Sequence, residues 1–296
     1  MGKSLPKQAI LVVNAGSRRG AELFAEARDK LIAAGIELLD AKKCKTAKSM
    51  DTAIKQALKK APMVIVGGGD GSLSSFVDYF IGKEVVFALL PLGTANSFAR
   101  TMGVPLDLDG AVDVIANGEA REIDVGCING DYFLNAAAMG LAPKVAESVP
   151  HGLKRTLGRL GYLIWAGWSA ANFRAFRVKL DDGKRTWRMW ATEVRIANGR
   201  FHGGIELIEN ADLKSGEIVV QVVTGRNIAK LGWSYFASAA KLKARHQTVR
   251  EFVASEFTLS TRPKMKVSID GEIGEETPLK ISALPDGVTI AAPREG

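Results

Sequence analysis

Residues 64–72 read Val-Ile-Val-Gly-Gly-Gly-Asp-Gly-Ser, a β-branched apolar run that stops at a glycine cluster holding one carboxylate. Val64, Ile65 and Val66 fit a buried strand, and the run from Ser72 to Phe80 reads as the start of a helix. Between them Gly67, Gly68, Gly69 and Gly71 let the backbone approach a ligand where any Cβ would clash. Their N–H groups, next to a helix N-terminus, favour a phosphate. Asp70 would repel that phosphate unless a cation bridged the two, so the stretch suggests a Mg²⁺-nucleotide rather than a bare anion. The structural alternative is a glycine-rich turn with a solvated Asp.

Outward from this stretch, strand and helix alternate. Ala9–Val13 reads as a strand, Gly20–Ala34 and Asp51–Lys60 as helices, Met63–Val66 as a strand, Leu73–Ile81 as a helix, and Val85–Leu90 as a strand ending at Pro91. That order predicts an α/β domain with a parallel sheet and ligand loops at the carboxyl ends of its strands. After about residue 124 the texture changes to short alternating runs: Tyr132–Asn135, Phe176–Leu180, Trp187–Ala197, Glu217–Val223, Phe257–Ser260 and Lys264–Ile269. They predict a second, largely antiparallel β domain with one or two helices.

The chain has 296 residues, 47% hydrophobic and 24% charged, ordinary for a soluble globular enzyme of roughly two domains. Its two cysteines, Cys44 and Cys127, lack metal-like spacing and suit a reducing cytoplasm. No signal peptide is read at the N-terminus, and the longest charge-free stretches are too short or too broken to span a bilayer. The net charge of +8 is unevenly spread: residues 151–188 hold nine Lys/Arg against two acids, and residues 224–250 hold six against none. Leu157, Leu160, Ile164 and Trp168, and likewise Ile228, Leu231, Tyr235, Ala239 and Leu242, recur there at helical spacing. Basic amphipathic helices suit the surface of an anionic membrane; core faces with solvated charges are the alternative. Nucleic acid is not an expected partner, because no recognised reader motif accompanies the basic residues.

Two more loops join the glycine cluster. Asn14-Ala-Gly-Ser-Arg-Arg-Gly closes the first strand, placing Asn14 and Ser17 where backbone amides could meet phosphate. Pro91-Leu-Gly-Thr-Ala-Asn-Ser-Phe-Ala-Arg offers Gly93 for a tight turn, Thr94 and Asn96 as polar groups, and Arg100 for an oxyanion. Three loops at carboxyl ends of one parallel sheet converge on one crevice. Downstream, Lys266-Val-Ser-Ile-Asp-Gly-Glu places Asp270 and Glu272 two apart, so at extended spacing both carboxylates face one way. Like charges so close push one pKa upward and make a plausible proton acceptor; a hairpin turn with solvated acids is the alternative.

The order of these motifs resembles the diacylglycerol kinase catalytic family, and is closest to its soluble bacterial lipid kinases. Ile123-Asp-Val-Gly, Phe133-Leu-Asn-Ala…Gly140 and Asn198-Gly-Arg-Phe-His-Gly-Gly add to the match, which covers nearly the whole chain. The resemblance implies an ATP-binding α/β domain over residues 1–124, a β-sandwich-like lipid-substrate domain over 125–280, and a segment from about 280 to 296 that returns to the first domain. It implies that Gly68–Ser72, Thr46 and Thr94 hold the nucleotide, that Asp70 and Asp124 serve the catalytic Mg²⁺, and that Asp270 and Glu272 divide proton acceptance and metal organisation. Glu272, with the longer reach, is favoured as acceptor. The expected reaction is transfer of the γ-phosphate of ATP to a lipid hydroxyl, with diacylglycerol foremost, by a cytoplasmic protein docked peripherally on a membrane; a homodimer is compatible with the sequence.

The chain also departs from the family pattern. Ala15 stands where Pro is usual, Ser72 where Thr is usual, and Glu209-Asn210 where Ala-Pro is usual. Ser215 is neutral where the family commonly has an Asp that helps bind a structural Mg²⁺. That site is weakened or absent, with the backbone carbonyls of Asp212 and Glu217 as remaining donors. Two rival readings follow: an NAD kinase-like enzyme, which shares a Gly-Gly-Asp-Gly loop, and a catalytically weak nucleotide- or lipid-binding regulator.

Overall fold

A computed structural model describes residues 3–140, 173–225, 249–270 and 272–294. The first lobe runs β1 (Lys3–Ser4), β2 (Gln8–Asn14), α1 (Arg18–Ala33), β3 (Glu37–Cys44), α2 (Ala47–Ala57), β4 (Met63–Gly68), α3 (Asp70–Val77), β5 (Val86–Pro91), α4 (Ser97–Thr101) and α5 (Leu108–Asn117). The second begins in β6 (Glu119–Ile128) and continues through β7 (Asp131–Phe133), β8 (Ala136–Gly140), β9 (Phe176–Asp181), β10 (Thr186–Ala197), β11 (Phe201–His202) and β12 (Ile205–Glu206). It ends with β13 (Ile218–Thr224), β14 (Val249–Ala254), β15 (Glu256–Arg262), β16 (Lys266–Ile269), β17 (Glu272–Glu276) and β18 (Leu279–Ala292).

The first lobe is α/β. Its parallel strands lie in the order β3-β2-β4-β5, and every residue of β4 and β5 is buried. Strands covered on both faces read as continuous apolar runs, which is why Val64–Val66 and Val86–Leu90 are so uniform. Helix starts follow local chemistry. Ser17 caps α1 by accepting from the Gly20 N–H at 3.1 Å, and Thr46 caps α2 in a reciprocal pair with Ser49. Helix α3 starts at Asp70, ahead of the expected Leu73, because Gly69 takes the extended cap position and a carboxylate suits the first turn. It also ends early: Tyr79 and Phe80 donate to carbonyls three residues back, tightening the chain into turns.

Among the described residues the second lobe contains only strands, all paired antiparallel with one another, where one or two helices were expected. Most of the segments 151–188 and 224–250, with the apolar positions expected to form membrane-facing helices, lie outside the described residues. No helix among the described residues is long and apolar enough to cross a membrane.

Two long strands join the lobes. Strand β18 pairs with β15 over Leu279–Ser282, runs antiparallel to β6 from Ile281 to Ala292, and meets β5 in parallel at Ile290 and Phe87. Its early residues Leu279 and Ile281 pack in the core of the second lobe, and Val288, Ile290, Ala291 and Ala292 in that of the first. Midway the register slips: Leu284 faces Val125 and Val288 faces Ile123, so residues 285–287 bulge opposite Asp124.

Candidate active site at the lobe junction

The glycine stretch and the 91–100 loop touch through their backbones. A Cβ on Gly93 would lie 2.5 Å from Gly69 Cα, and one on Gly68 would lie 2.6 Å from Ser72 Cβ. Asn96, left-handed at φ 46°, accepts from the Gly93 N–H at 2.9 Å and donates back to the Gly93 carbonyl at 3.0 Å, which fixes the turn. Asn14 donates to the Ser72 hydroxyl at 2.8 Å and accepts from the Gly16 N–H at 3.0 Å, tying the first loop to the second. The structure therefore brings Asn14, Ser72, Gly68, Gly69, Gly93 and Asn96 together. Gly67 packs inside the sheet against Val13 and Leu92, Gly71 lies in the first turn of α3, and Thr94 is exposed. Thr46 stands on the neighbouring loop beside a cleft of about 510 Å³ lined by Lys42, Lys43, Lys48, Ser49 and Gln56. The Ser17 hydroxyl is spent on the α1 cap, donating to the Asn14 carbonyl at 3.1 Å and accepting from the Gly20 N–H. Gly69 and Gly93 let the two loops meet backbone to backbone at the start of α3, where a helix N-terminus favours phosphate, so these loops fit a phosphate chain.

The acids divide by environment. Asp70 Oδ1 accepts from the Phe98 N–H at 3.1 Å, linking the glycine loop to α4; its other oxygen has no protein donor among the described residues. One carboxylate plus substrate phosphates is a common Mg²⁺ arrangement, so Asp70 fits the ion. Asp124 is buried at 2% exposure, and its oxygens accept from the Gly216 N–H at 2.6 Å and the Asp286 N–H at 3.1 Å. It holds the β18 bulge. In the 212–217 loop, the Ser215 hydroxyl donates to the Asp212 carbonyl at 3.0 Å and accepts from the Glu217 N–H at 3.2 Å. Asp212 Oδ1 accepts from the Lys214 N–H at 3.0 Å. A serine hydroxyl occupies one of the two carbonyls that a cation would need, so this loop does not fit a structural metal. No three acidic, histidine or cysteine side chains converge as a metal cluster among the described residues.

Asp270 is the most heavily engaged acid. Its Oδ2 accepts from the Ser74 hydroxyl at 2.6 Å and the Leu134 N–H at 3.0 Å, with the Asn135 N–H at 3.5 Å, while Oδ1 accepts from the Ala136 N–H at 2.9 Å. Burial pushes its carboxyl above the usual carboxylate range, against the downward pull of those four bonds. Burial, rather than a neighbouring like charge, is thus the main cause of the rise. The extended spacing expected for Asp270 and Glu272 is also corrected. Ile269 pairs with Glu272, so Asp270 sits in a hairpin turn at φ 45°, and the chain reverses between the two acids. The Glu272 side chain lies outside what the structure describes.

Three residues that carry the geometry were not singled out in the sequence. Ser74 hides in a serine-rich helix start. Asn135 is buried, accepts from Thr101 Oγ1 at 2.9 Å, donates to the Phe201 carbonyl, and receives the Asn198 and Gly199 N–H groups at 2.9 and 2.8 Å. With Thr101 it latches α4 to the turn after β10, so the motifs around Asn135 and Asn198 meet at the lobe junction. Arg19 reaches the Gly93 carbonyl at 3.4 Å. Only the motif spacing around Asn135 hinted at any of them.

Residues 8–128 match the diacylglycerol kinase catalytic domain, and residues 135–292 match the YegS C-terminal NAD kinase beta sandwich-like domain. The chain belongs to the diacylglycerol kinase catalytic family. A diacylglycerol kinase from Bacillus subtilis strain 168 is 28% identical, covering 98% of this chain and 97% of its own length. A Staphylococcus epidermidis diacylglycerol kinase is 27% identical over 98% of this chain and 93% of its own. A solved Bacillus anthracis structure, provisionally described as a diacylglycerol kinase, superposes with a TM-score of 0.82 at 25% identity, covering 98% of this chain and 96% of that one. As a member of this family the chain is an ATP-dependent lipid kinase, with an α/β nucleotide lobe and a β-sandwich-like second lobe.

Proposed function

We propose that this lipid kinase phosphorylates the free hydroxyl of diacylglycerol, giving phosphatidic acid, with ATP used as its Mg²⁺ complex. The backbone contact of Gly69 with Gly93, on the lobe whose α3 also holds Asp270, carries this reading. The relatives named diacylglycerol kinase support the choice of lipid. Mg²⁺ would neutralise charge on the phosphates, and Asp70 would hold it. The glycine-loop amides and the N-terminus of α3 bind the phosphate oxygens. Asp270, already accepting from four protein donors, serves as the organiser that fixes the hairpin. That leaves Glu272, the next acid on the same hairpin, to take the proton as the alcohol oxygen bonds to phosphorus and ADP leaves. The basic segments 151–188 and 224–250 support docking on an anionic membrane surface.

The test is transfer of radiolabelled γ-phosphate from ATP to a mixed bacterial lipid extract with Mg²⁺, with the products identified. Labelled phosphatidic acid is expected; a different labelled lipid keeps the mechanism and replaces the substrate. Asp70→Ala and Glu272→Gln should each lose on the order of a hundred-fold in rate. Full activity in Asp70→Ala removes its metal role. NAD phosphorylation without lipid phosphorylation would favour the NAD kinase-like alternative.

A further inference from the structure

The seam between the lobes holds another cavity, of about 260 Å³, away from the loops that form the cradle. It is lined by Thr101 of α4, by Arg121 at the start of β6, where the chain passes from the first lobe to the second, and by Arg200, Asp212 and Lys214 of the second lobe. We propose that this cavity is a binding site for a phosphate-type oxyanion that ties the two lobes together.

Three cations from three different elements line one small space. Arg121 is largely buried, its side chain 16% exposed, and its Nη2 is anchored by Glu119 at 2.7 Å and the Pro293 carbonyl at 2.8 Å. Arg200 is held through Nε by the Ala211 carbonyl at 3.1 Å. Both guanidinium groups are therefore placed before any ligand arrives, which lowers the ordering cost of binding. Arginine's planar donor edge suits phosphate oxygens, and Lys214 adds a mobile charge.

Of the acids nearby, Glu119 is paired with Arg121, and Asp212, which lines the cavity, turns Oδ1 to the Lys214 N–H of its own loop, so the three cations outnumber the carboxylates. Among the described residues, neither Arg200 nor Lys214 has a carboxylate partner within 4.0 Å. The volume lies below the roughly 300–1,000 Å³ of sites for drug-sized ligands, so it selects a small anion or headgroup over a nucleotide. An occupant would also act on the joint between the lobes. Leu213, between Asp212 and Lys214, accepts the Asp124 N–H at 2.7 Å, and Asp124 holds the β18 bulge.

The chemistry is shared by free phosphate and a phosphate-bearing lipid headgroup, and the experiment separates them. The full chain and an Arg200→Gln/Lys214→Gln double variant are titrated with inorganic phosphate at constant ionic strength, and Tm is followed. Both substituted side chains are exposed and lie outside the cradle, so the phosphate-free Tm should stay within about 2 °C. The wild-type Tm should rise saturably by about 3 °C or more. The variant should need at least a ten-fold higher phosphate concentration for half the effect, and Lys214→Gln alone should fall between. If wild type and variant respond alike, or neither responds, the site does not exist as described. Co-sedimentation with phosphatidic acid vesicles, against phosphatidylcholine vesicles, then names the source: loss in the variant assigns a lipid headgroup, and unchanged sedimentation beside a lost phosphate response assigns free phosphate.

Discussion

The Ser74 hydroxyl donates to Asp270 Oδ2 at 2.6 Å across 196 positions of sequence. Ser74 belongs to α3, whose first residue is Asp70, and Asp270 sits at the tip of the β16–β17 hairpin. The helix proposed to face the phosphates and the hairpin that carries Asp270 and Glu272 are thus held by one bond.

Removing that bond with Ser74→Ala deletes a hydrogen bond to a buried carboxylate, the kind worth about 1.5–3 kcal/mol. Because Ser74 pulls the Asp270 carboxyl down, its loss should raise that carboxyl further. If Asp270 must be ionised to fix the hairpin that carries Glu272, the acid limb of kcat/KM against pH should move to higher pH, and Ser74→Thr should restore it. An acid limb that stays in place in Ser74→Ala would detach Asp270 from the chemistry.

Stability should depend on the same carboxyl. Asp270 holds its proton more tightly folded than unfolded, so in the window between the two pKa values the native state binds more protons. Its contribution is most favourable below the unfolded value of about 3.9, declines as pH rises to the raised folded value, and is flat above it. Urea midpoints across that window, compared with Asp270→Ala, should show wild type losing its relative advantage as pH increases. A difference that is constant with pH would contradict the raised carboxyl.

At the bulge, Asp124→Ala leaves the Gly216 and Asp286 N–H groups without their acceptor. Both bonds are only partly buried, so the full cost of about 1–3 kcal/mol for a buried unsatisfied donor is an upper bound for each, and chemical denaturation should show a loss of about 1–3 kcal/mol in all, with or without Mg²⁺. A variant as stable as wild type that loses only activity would return Asp124 to the metal.

Gly126 faces Phe133 across β6 and β7, and a Cβ there would lie 2.1 Å from the buried ring. Gly126→Ala should destabilise the fold by about 1–3 kcal/mol through overpacking, and Gly126→Ala/Phe133→Leu should recover part of it. Thermal melts of the two variants decide the point.

The parts of the fold legible in sequence were those where local pattern and tertiary role agree. Val64–Val66 are apolar because β4 is covered on both faces, and the glycines after them mark a backbone contact with Gly93. Strand β3 was missed because it lies at the sheet edge, and Glu37, Asp40, Lys42 and Lys43 break up its apolar pattern. Pro285-Asp286-Gly287 reads as a turn, yet the long pairing with β6 carries β18 through it as a bulge. Asp270 was legible as a functional acid but not as a turn residue, since its left-handed backbone depends on hairpin pairing that adjacent residues do not announce. Ser74 and Asn135 gain meaning only from partners far along the chain.

Strand β18 sets an order on synthesis. The nucleotide lobe is encoded almost entirely before residue 128, but the strand that borders β5 arrives only with residues 279–292. While the chain is still emerging, β5 keeps an open flank and Phe87 lacks its neighbour Ile290. The lobe that comes out first is finished last.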